Sequence, residues 1–212
     1  MNDAASINSD AGARLRGISR ARLRYNRRMS DLPILHTERT VMTVPAPEHA
    51  PLLLAYRLHN RDHLAPWEPA RSDDYFTEAA AHRRLAQSVA EAHAGSALHF
   101  LALDRGSGAV VATCSFTNIV HGVFQACHIG FSVAAACQGK GLMHEVARAG
   151  IAHMFGHEGL HRIMASHLPR NMRSAALLEK LGFEREGYAR SYLRIDGRWE
   201  DMVLSSLINP ME

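Results

Sequence analysis

Four positions at the end of an apolar segment carry the clearest chemistry in the chain. They are Gln138, Gly139, Lys140 and Gly141, inside "FSVAAACQGKGLMHEVARAG" at 131–150. Small residues there let successive backbone N–H groups point one way, at the positive end of the helix that follows. A pyrophosphate matches such a cradle in size and charge, and Lys140 adds charge at its mouth. The spacing is not that of a Walker loop. Ala134 stands where the first glycine belongs, and Gly141 follows the lysine in place of Ser or Thr. It is not the dinucleotide fingerprint either, because His144 occupies the third glycine position. ATP and NAD therefore lose their strongest motifs. The same glycines also serve a plain turn.

The other reactive residue types are less organised. The chain has 14 histidines, and His153, His157 and His161 are spaced by four. No carboxylate or cysteine completes a set in the sequence and no HExxH exists, so no metal site is expected. The three cysteines, Cys114, Cys127 and Cys137, fit no CxxC pattern, and a reduced cytoplasmic protein is expected. Cys137 adjoins the glycine loop and reads as packing, prone to a mixed disulfide with a thiol cofactor.

The elements that position these residues follow from periodicity. A strand is predicted over 35–45 and a helix over 47–64, with "APWEPA" as a rigid loop between prolines. A second helix runs within 72–95, with capping residues in front and Gly95 behind. Strands follow at 97–103, 109–120 and 124–133, the last two joined tightly at "HG". Gly130 lies inside the third and marks a bulge or a close backbone approach, which would splay this strand from its neighbour. The helix after the glycine loop shows one apolar face from Leu142 to Phe155. A strand at 161–168, a helix at 171–183 and a hairpin around "IDG" complete the chain. The expected class is α+β with a mixed sheet.

Length and composition bound the rest. The 212 residues, 47% hydrophobic and 21% charged, describe a globular protein of one domain plus trimmings. No apolar run approaches the roughly 18 residues of a membrane span, so no membrane partner is expected. Net charge is only +3, but residues 14–28 hold seven arginines and no acid. Residues 1–31 are expected to be a flexible basic arm and 32–212 the folded domain. Such a block suits a polyanion such as ribosomal RNA, and serves equally as a solvated terminus.

"QGKGLM" after a strand ending "FSV" resembles the acetyl-CoA signature of the GCN5-related N-acetyltransferases, with Gln138 and Gly141 matching and Met143 departing at the last position. The element order is also that family's. "HLAPWEP", "FTNIVHGVFQACHIGFSV", "LHRIMA", "NMRSAALLEKLGFEREGYA" and "YLRIDGRWEDMVL" are similar to its RimJ type, which acetylates ribosomal-protein alanines. The resemblance spans about residues 32–208. It implies a GNAT fold, with a splayed strand pair in a mixed central sheet, and acetyl-CoA as cosubstrate. It also implies transfer to an N-terminal alanine α-amine of a small-subunit ribosomal protein. By the same resemblance, backbone groups of Phe131, Ser132 and Val133 hold the pantetheine arm. Amides of Gln138, Gly139, Lys140, Gly141, Leu142 and Met143 hold the pyrophosphate, and Asn171 contacts the cofactor.

That chemistry needs a neutral amine and a proton for the departing thiolate. An α-amine, with pKa near 7.7–8.0, is roughly one quarter neutral near pH 7.4, whereas a lysine amine is neutral at about one part in a thousand. A modest base or a water relay then suffices. For the acid, the resemblance favours Ser174, one turn after Asn171, with Tyr188 second. Asn171 and Ser174 also make an ordinary helix cap. For the base, Glu68 between two prolines is favoured, with Trp67 as an apolar wall, and Asp201 is the other candidate. Two rivals remain: the same transfer to a lysine, antibiotic or polyamine, and a ribosome-assembly or RNA-binding factor with a CoA-binding domain.

Overall fold

The computed structural model describes residues 32–211. The basic arm expected over 1–31 lies outside the described residues. Eight strands form one sheet in the order β1-β2-β3-β4-β5-β6-β8-β7. They are β1 (Ile34–His36), β2 (Thr40–Thr43), β3 (Leu98–Asp104), β4 (Val110–Val120), β5 (Ala126–Val133), β6 (Arg162–His167), β7 (Glu184–Ile195) and β8 (Arg198–Ile208). Every neighbouring pair is antiparallel except β5–β6. The longer helices are α1 (Ala50–His59), α2 (Glu78–Ala94), α3 (Leu142–Gly156) and α4 (Met172–Lys180), and a short helical turn covers Arg61–Leu64. The expected α+β class and mixed sheet are what the chain adopts.

Alternation along the strands builds two cores. On one side Phe100, Cys114 and Phe116 meet Val146, Ala147, Ile151 and Met154 of α3. On the other side Leu101 and Val110 meet Leu53 and Tyr56 of α1 and Leu85 of α2. Adjacent residues Phe100 and Leu101 thus face opposite layers, as the two-residue period of a strand requires. Helix α3 lies close against β4 because Gly150 has no side chain. A Cβ there would stand 2.7 Å from the ring of the fully buried Phe116.

Three expectations change. The strand over 35–45 is a hairpin, because Thr37 Oγ1 bonds both the amide and the carbonyl of Thr40 and turns the chain. The helix over 47–64 breaks at Asn60. The Asn60 side chain donates from Nδ2 to Tyr56 O (2.8 Å) and accepts at Oδ1 from Ala135 N (2.9 Å), tying α1 to the loop before α3. Gly130 is not a bulge: its pairing with Ser115 sits in unbroken register, and a Cβ there would meet nothing within 4 Å. The irregularity falls after Thr117, where Asn118 has φ 52°. The splay itself is present for another reason. The β5–β6 pairing covers only Ala126–His128 against Arg162–Met164, and the strands part beyond it.

Candidate active site

The gap between β5 and β6 opens into a cleft of about 390 Å³, within the range of ligand sites. Where β5 leaves its partner, Phe131, Ser132 and Val133 line the wall. Ser132 is fixed from behind. Its Oγ shares hydrogen bonds of 2.8 Å with Tyr56 Oη and with Thr113 Oγ1. Burial, against the smaller effect of that Ser132 bond, pushes the Tyr56 phenol up to about 12, so it stays protonated.

The floor is the glycine loop. Gly139 and Gly141 have φ of 70° and 73°, in the left-handed region that glycine occupies without strain, and Gly141 is the N-cap of α3. A Cβ at Gly139 would meet nothing within 4 Å, so the backbone of the loop is open on that side. Gln138, Gly139, Gly141, Leu142 and Met143 all line the cleft. Lys140 does not. Its Nζ donates to Ala136 O (2.9 Å) and closes the preceding turn instead of adding charge at the mouth.

The loop is clamped from far away. Arg39, in the β1–β2 turn, donates from its backbone N and its Nε to the two carboxylate oxygens of Glu145, at 2.8 and 2.7 Å. Its Nη1 donates to Lys140 O (2.8 Å). Partial burial pushes the Glu145 carboxyl up, but hydrogen bonds from Thr37 and Arg39 outweigh it and leave the pKa below its ordinary value. Gln138 is held on both sides, donating to His63 Nε2 (3.0 Å) and accepting from Arg173. Sequence reasoning missed Arg39, Glu145, His63 and Arg173, along with Lys180 at the far wall. The acid in the first turn of α3 was the one available signal for a clamp.

The opposite wall comes from α4. Asn171 is its N-cap, accepting from Ser174 N at 3.1 Å, and both residues line the cleft. Glu68 and Trp67 reach it from the proline-bracketed loop. Glu68 faces a cation, not the expected apolar wall: Arg57 Nη1 lies 3.0 and 3.2 Å from its two oxygens. Glu68 and Leu64 also line a second cavity of about 180 Å³, with Arg57, Arg61, Arg71, Tyr75 and Asp196. Tyr188 and Asp201 are not in the cleft wall. They bond each other on the β7–β8 hairpin, Tyr188 Oη donating to Asp201 Oδ2 at 2.8 Å.

The arrangement suits a long ligand with an anionic end. Strand backbone left unpaired beyond the β5–β6 contact can pair with an extended amide chain, and the loop amides with Arg173 and Lys180 can hold phosphate. Cys137 lines the same cleft. Cys114 and Cys127 are buried, and burial raises both thiol pKa values, the second to about 12, which keeps them unreactive.

Comparison with known proteins agrees with this geometry. Residues 39–184 match the family model described as an acetyltransferase (GNAT) domain. The [ribosomal protein uS5]-alanine N-acetyltransferase of Escherichia coli (strain K12) is 41% identical over 177 residues, 83% of this chain and 91% of that protein. The solved ribosomal-protein-S5-alanine acetyltransferase of Vibrio fischeri superposes with a TM-score of 0.80 at 39% identity, covering 84% of this chain and 97% of that one. Mycobacterium smegmatis RimJ, solved with a CoA-disulfide, gives a TM-score of 0.77 at 28% identity, covering 84% and 86%. The chain belongs to the acetyltransferase (GNAT) family. It is an N-acetyltransferase, and acetyl-CoA is its cosubstrate. Among the described residues no helix is long and apolar enough to cross a membrane.

Proposed function

We propose that the acceptor is the N-terminal α-amine of an alanine on a small-subunit ribosomal protein of the uS5 type. The similarity to uS5-alanine N-acetyltransferases carries this reading, because it extends over nearly the whole described domain. The site chemistry supports it. An α-amine is neutral enough near pH 7.4 to attack without a strong base.

In this reading the domain is residues 32–212, and each residue has a role. Backbone groups of Phe131–Val133 bind the pantetheine arm. Amides of residues 138–143 bind the pyrophosphate, and Asn171 supports the cofactor from α4. Bound acetyl-CoA supplies the thioester carbonyl. The acceptor chain enters through the second cavity, where Glu68 stands between that cavity and the cleft. Glu68 takes the amine proton, directly or through water. Ser174 gives a proton to the sulfur as the C–S bond breaks, and Tyr188 and Asp201 are the alternative acid and base. The 14–28 arginine block is assigned to contact with ribosomal RNA, by charge complementarity alone.

Mass spectrometry of acetyl transfer to two peptides tests the acceptor. One has a free N-terminal alanine, and the other is blocked there but carries a lysine. Acetylation of the first alone is expected. Acetylation of the second alone overturns the α-amine assignment while leaving the cofactor site intact. Deleting residues 2–28 is expected to spare peptide turnover and to weaken ribosome binding, most visibly at low salt. Unchanged ribosome affinity removes the RNA role.

A further inference from the structure

We propose that the C-terminal end of α3 is a binding site for one divalent ion of the zinc type, held by His153, His157 and Glu158. Spacing supplies two of the ligands, since residues four apart share a helix face. The two rings lie 4.8 Å apart and tilted by 32°. The carboxylate missing from the sequence reading is Glu158. Its amide and that of His157 both donate to His153 O, at 3.2 and 2.8 Å, so the chain folds tightly at the helix end. Glu158 is thereby brought to the histidine pair. Its Oε1 lies 3.4 Å from His153 Nε2 and 3.7 Å from His157 Nδ1.

All three ligand atoms lie within 4.8 Å of one another. Ligands around a tetrahedral zinc, with bonds of about 2.0–2.2 Å, stand roughly 3.3–3.5 Å apart. Two separations are already within a few tenths of an ångström of that value. The third closes by rotation of His157, whose side chain is 66% exposed.

Burial separates this cluster from a surface coincidence. The side chains of His153 and Glu158 are only 8% and 5% exposed. Among the described residues the buried His153 Nε2 has no hydrogen-bond partner, and it points at the carboxylate. A bound cation answers that unused lone pair. The site also lies at the negative end of the α3 dipole, which favours a cation. Two imidazoles and one carboxylate suit zinc, cobalt or nickel better than calcium or magnesium.

Fifteen residues of helix place the cluster about 22 Å from the glycine loop. The ion is therefore structural: it fastens the end of α3 to the turn entering β6 and takes no part in acetyl transfer.

The test uses the untagged full chain, stripped with a chelator and titrated with Zn²⁺ by calorimetry. One equivalent is expected to bind. Zinc at about a hundred times its Kd should raise Tm by about 5–10 °C. His157→Ala changes an exposed residue and should keep the fold while losing at least tenfold in affinity, together with the Tm gain. Glu158→Gln should do the same. Acetyl transfer should differ less than about twofold between stripped and loaded protein. Zinc bound equally by wild type and His157→Ala overturns the proposal as adventitious binding to other histidines. Binding below one tenth of an equivalent overturns it in favour of a plain His153–Glu158 ion contact.

Discussion

The cleft and the β7–β8 hairpin both carry residues able to move a proton, but the two regions are held in opposite ways. In the cleft, partners come from far along the chain. Arg39 reaches across 106 residues to Glu145, and Asn60 across 75 to Ala135. On the hairpin, Tyr188, Ser191 and Asp201 satisfy each other within 13 residues, on an exposed surface. The electrostatics differ accordingly. The Ser191 amide, and then Tyr188, hold the Asp201 carboxyl below its ordinary pKa. The bond to Asp201 raises the Tyr188 phenol. A general base or acid works best with a pKa near the working pH, and both shifts move away from it. The contrast favours the cleft as the reacting region and gives the hairpin pair a local, structural task.

The largest expected effect tests the anion cradle. Gly141→Asp places a β-substituted residue at φ 73° and a negative charge among the amides proposed to hold phosphate. Acetyl-CoA affinity should fall on the order of 100-fold, or about 2.7 kcal/mol, by calorimetry. Unchanged affinity would move the phosphate site elsewhere and remove the cleft's advantage over the hairpin.

Next in size is Ser174→Ala. If the cleft supplies the proton for the departing sulfur, kcat should drop about 10- to 100-fold, the lower end of general-acid contributions, because water partly substitutes. The KM for acetyl-CoA should stay within about twofold, since Ser174 holds the α4 cap through its backbone N–H and not its hydroxyl. A loss confined to KM would make Ser174 a binding residue and reopen the hairpin.

The legibility of the two regions follows the same division. The glycine loop, the Asn171 cap and the "IDG" hairpin turn are local signals, and each is where the sequence placed it. Asp196 and Gly197, at φ 45° and 77°, make the tight turn that an Asp-Gly pair selects. The Arg39–Glu145 clamp was illegible because neither residue is unusual where it stands; only the fold brings the β1–β2 turn beside the first turn of α3. Asn60 was misread because its helix-ending role comes from a tertiary hydrogen bond that overrides local propensity. Lys140 beside a phosphate loop invited an electrostatic role, and its chain folds back to Ala136 instead.

Smaller again is the clamp itself. Glu145→Gln keeps an acceptor but loses the charge opposite Arg39, while Arg39 still holds Lys140 O. A loss of about 1 kcal/mol, roughly fivefold in acetyl-CoA affinity, is expected. The pH dependence has a definite sign. A carboxyl with a lowered folded pKa stabilises the fold fully above its ordinary value, roughly 4.3, and that contribution fades as pH falls through the folded value. Wild type should therefore exceed Glu145→Gln in urea midpoint at pH 7, with the gap closing below about pH 4. A gap that stays constant into acid would mean that the carboxylate charge is not what secures the loop.

Tyr188→Phe should do least, and its smallness is the point. Among the described residues the phenol bonds Asp201 alone, and Asp201 keeps the Ser191 amide when the hydroxyl is removed. The Tyr188–Asp201 bond lies at an exposed surface, so water replaces what is lost. Neither lines the cleft. Turnover on the alanine peptide should stay within about threefold of wild type, with the alkaline limb of the pH–rate profile unmoved. A drop beyond about 30-fold, or an alkaline limb that disappears, would instead make Tyr188 the acid. The hairpin would then have to close over the cleft during the reaction, pivoting near Asp196, whose amide already donates to Glu68 O at 3.1 Å. That contact joins the two regions directly, so a rate measurement on this one variant decides whether the hairpin frames the active site or completes it.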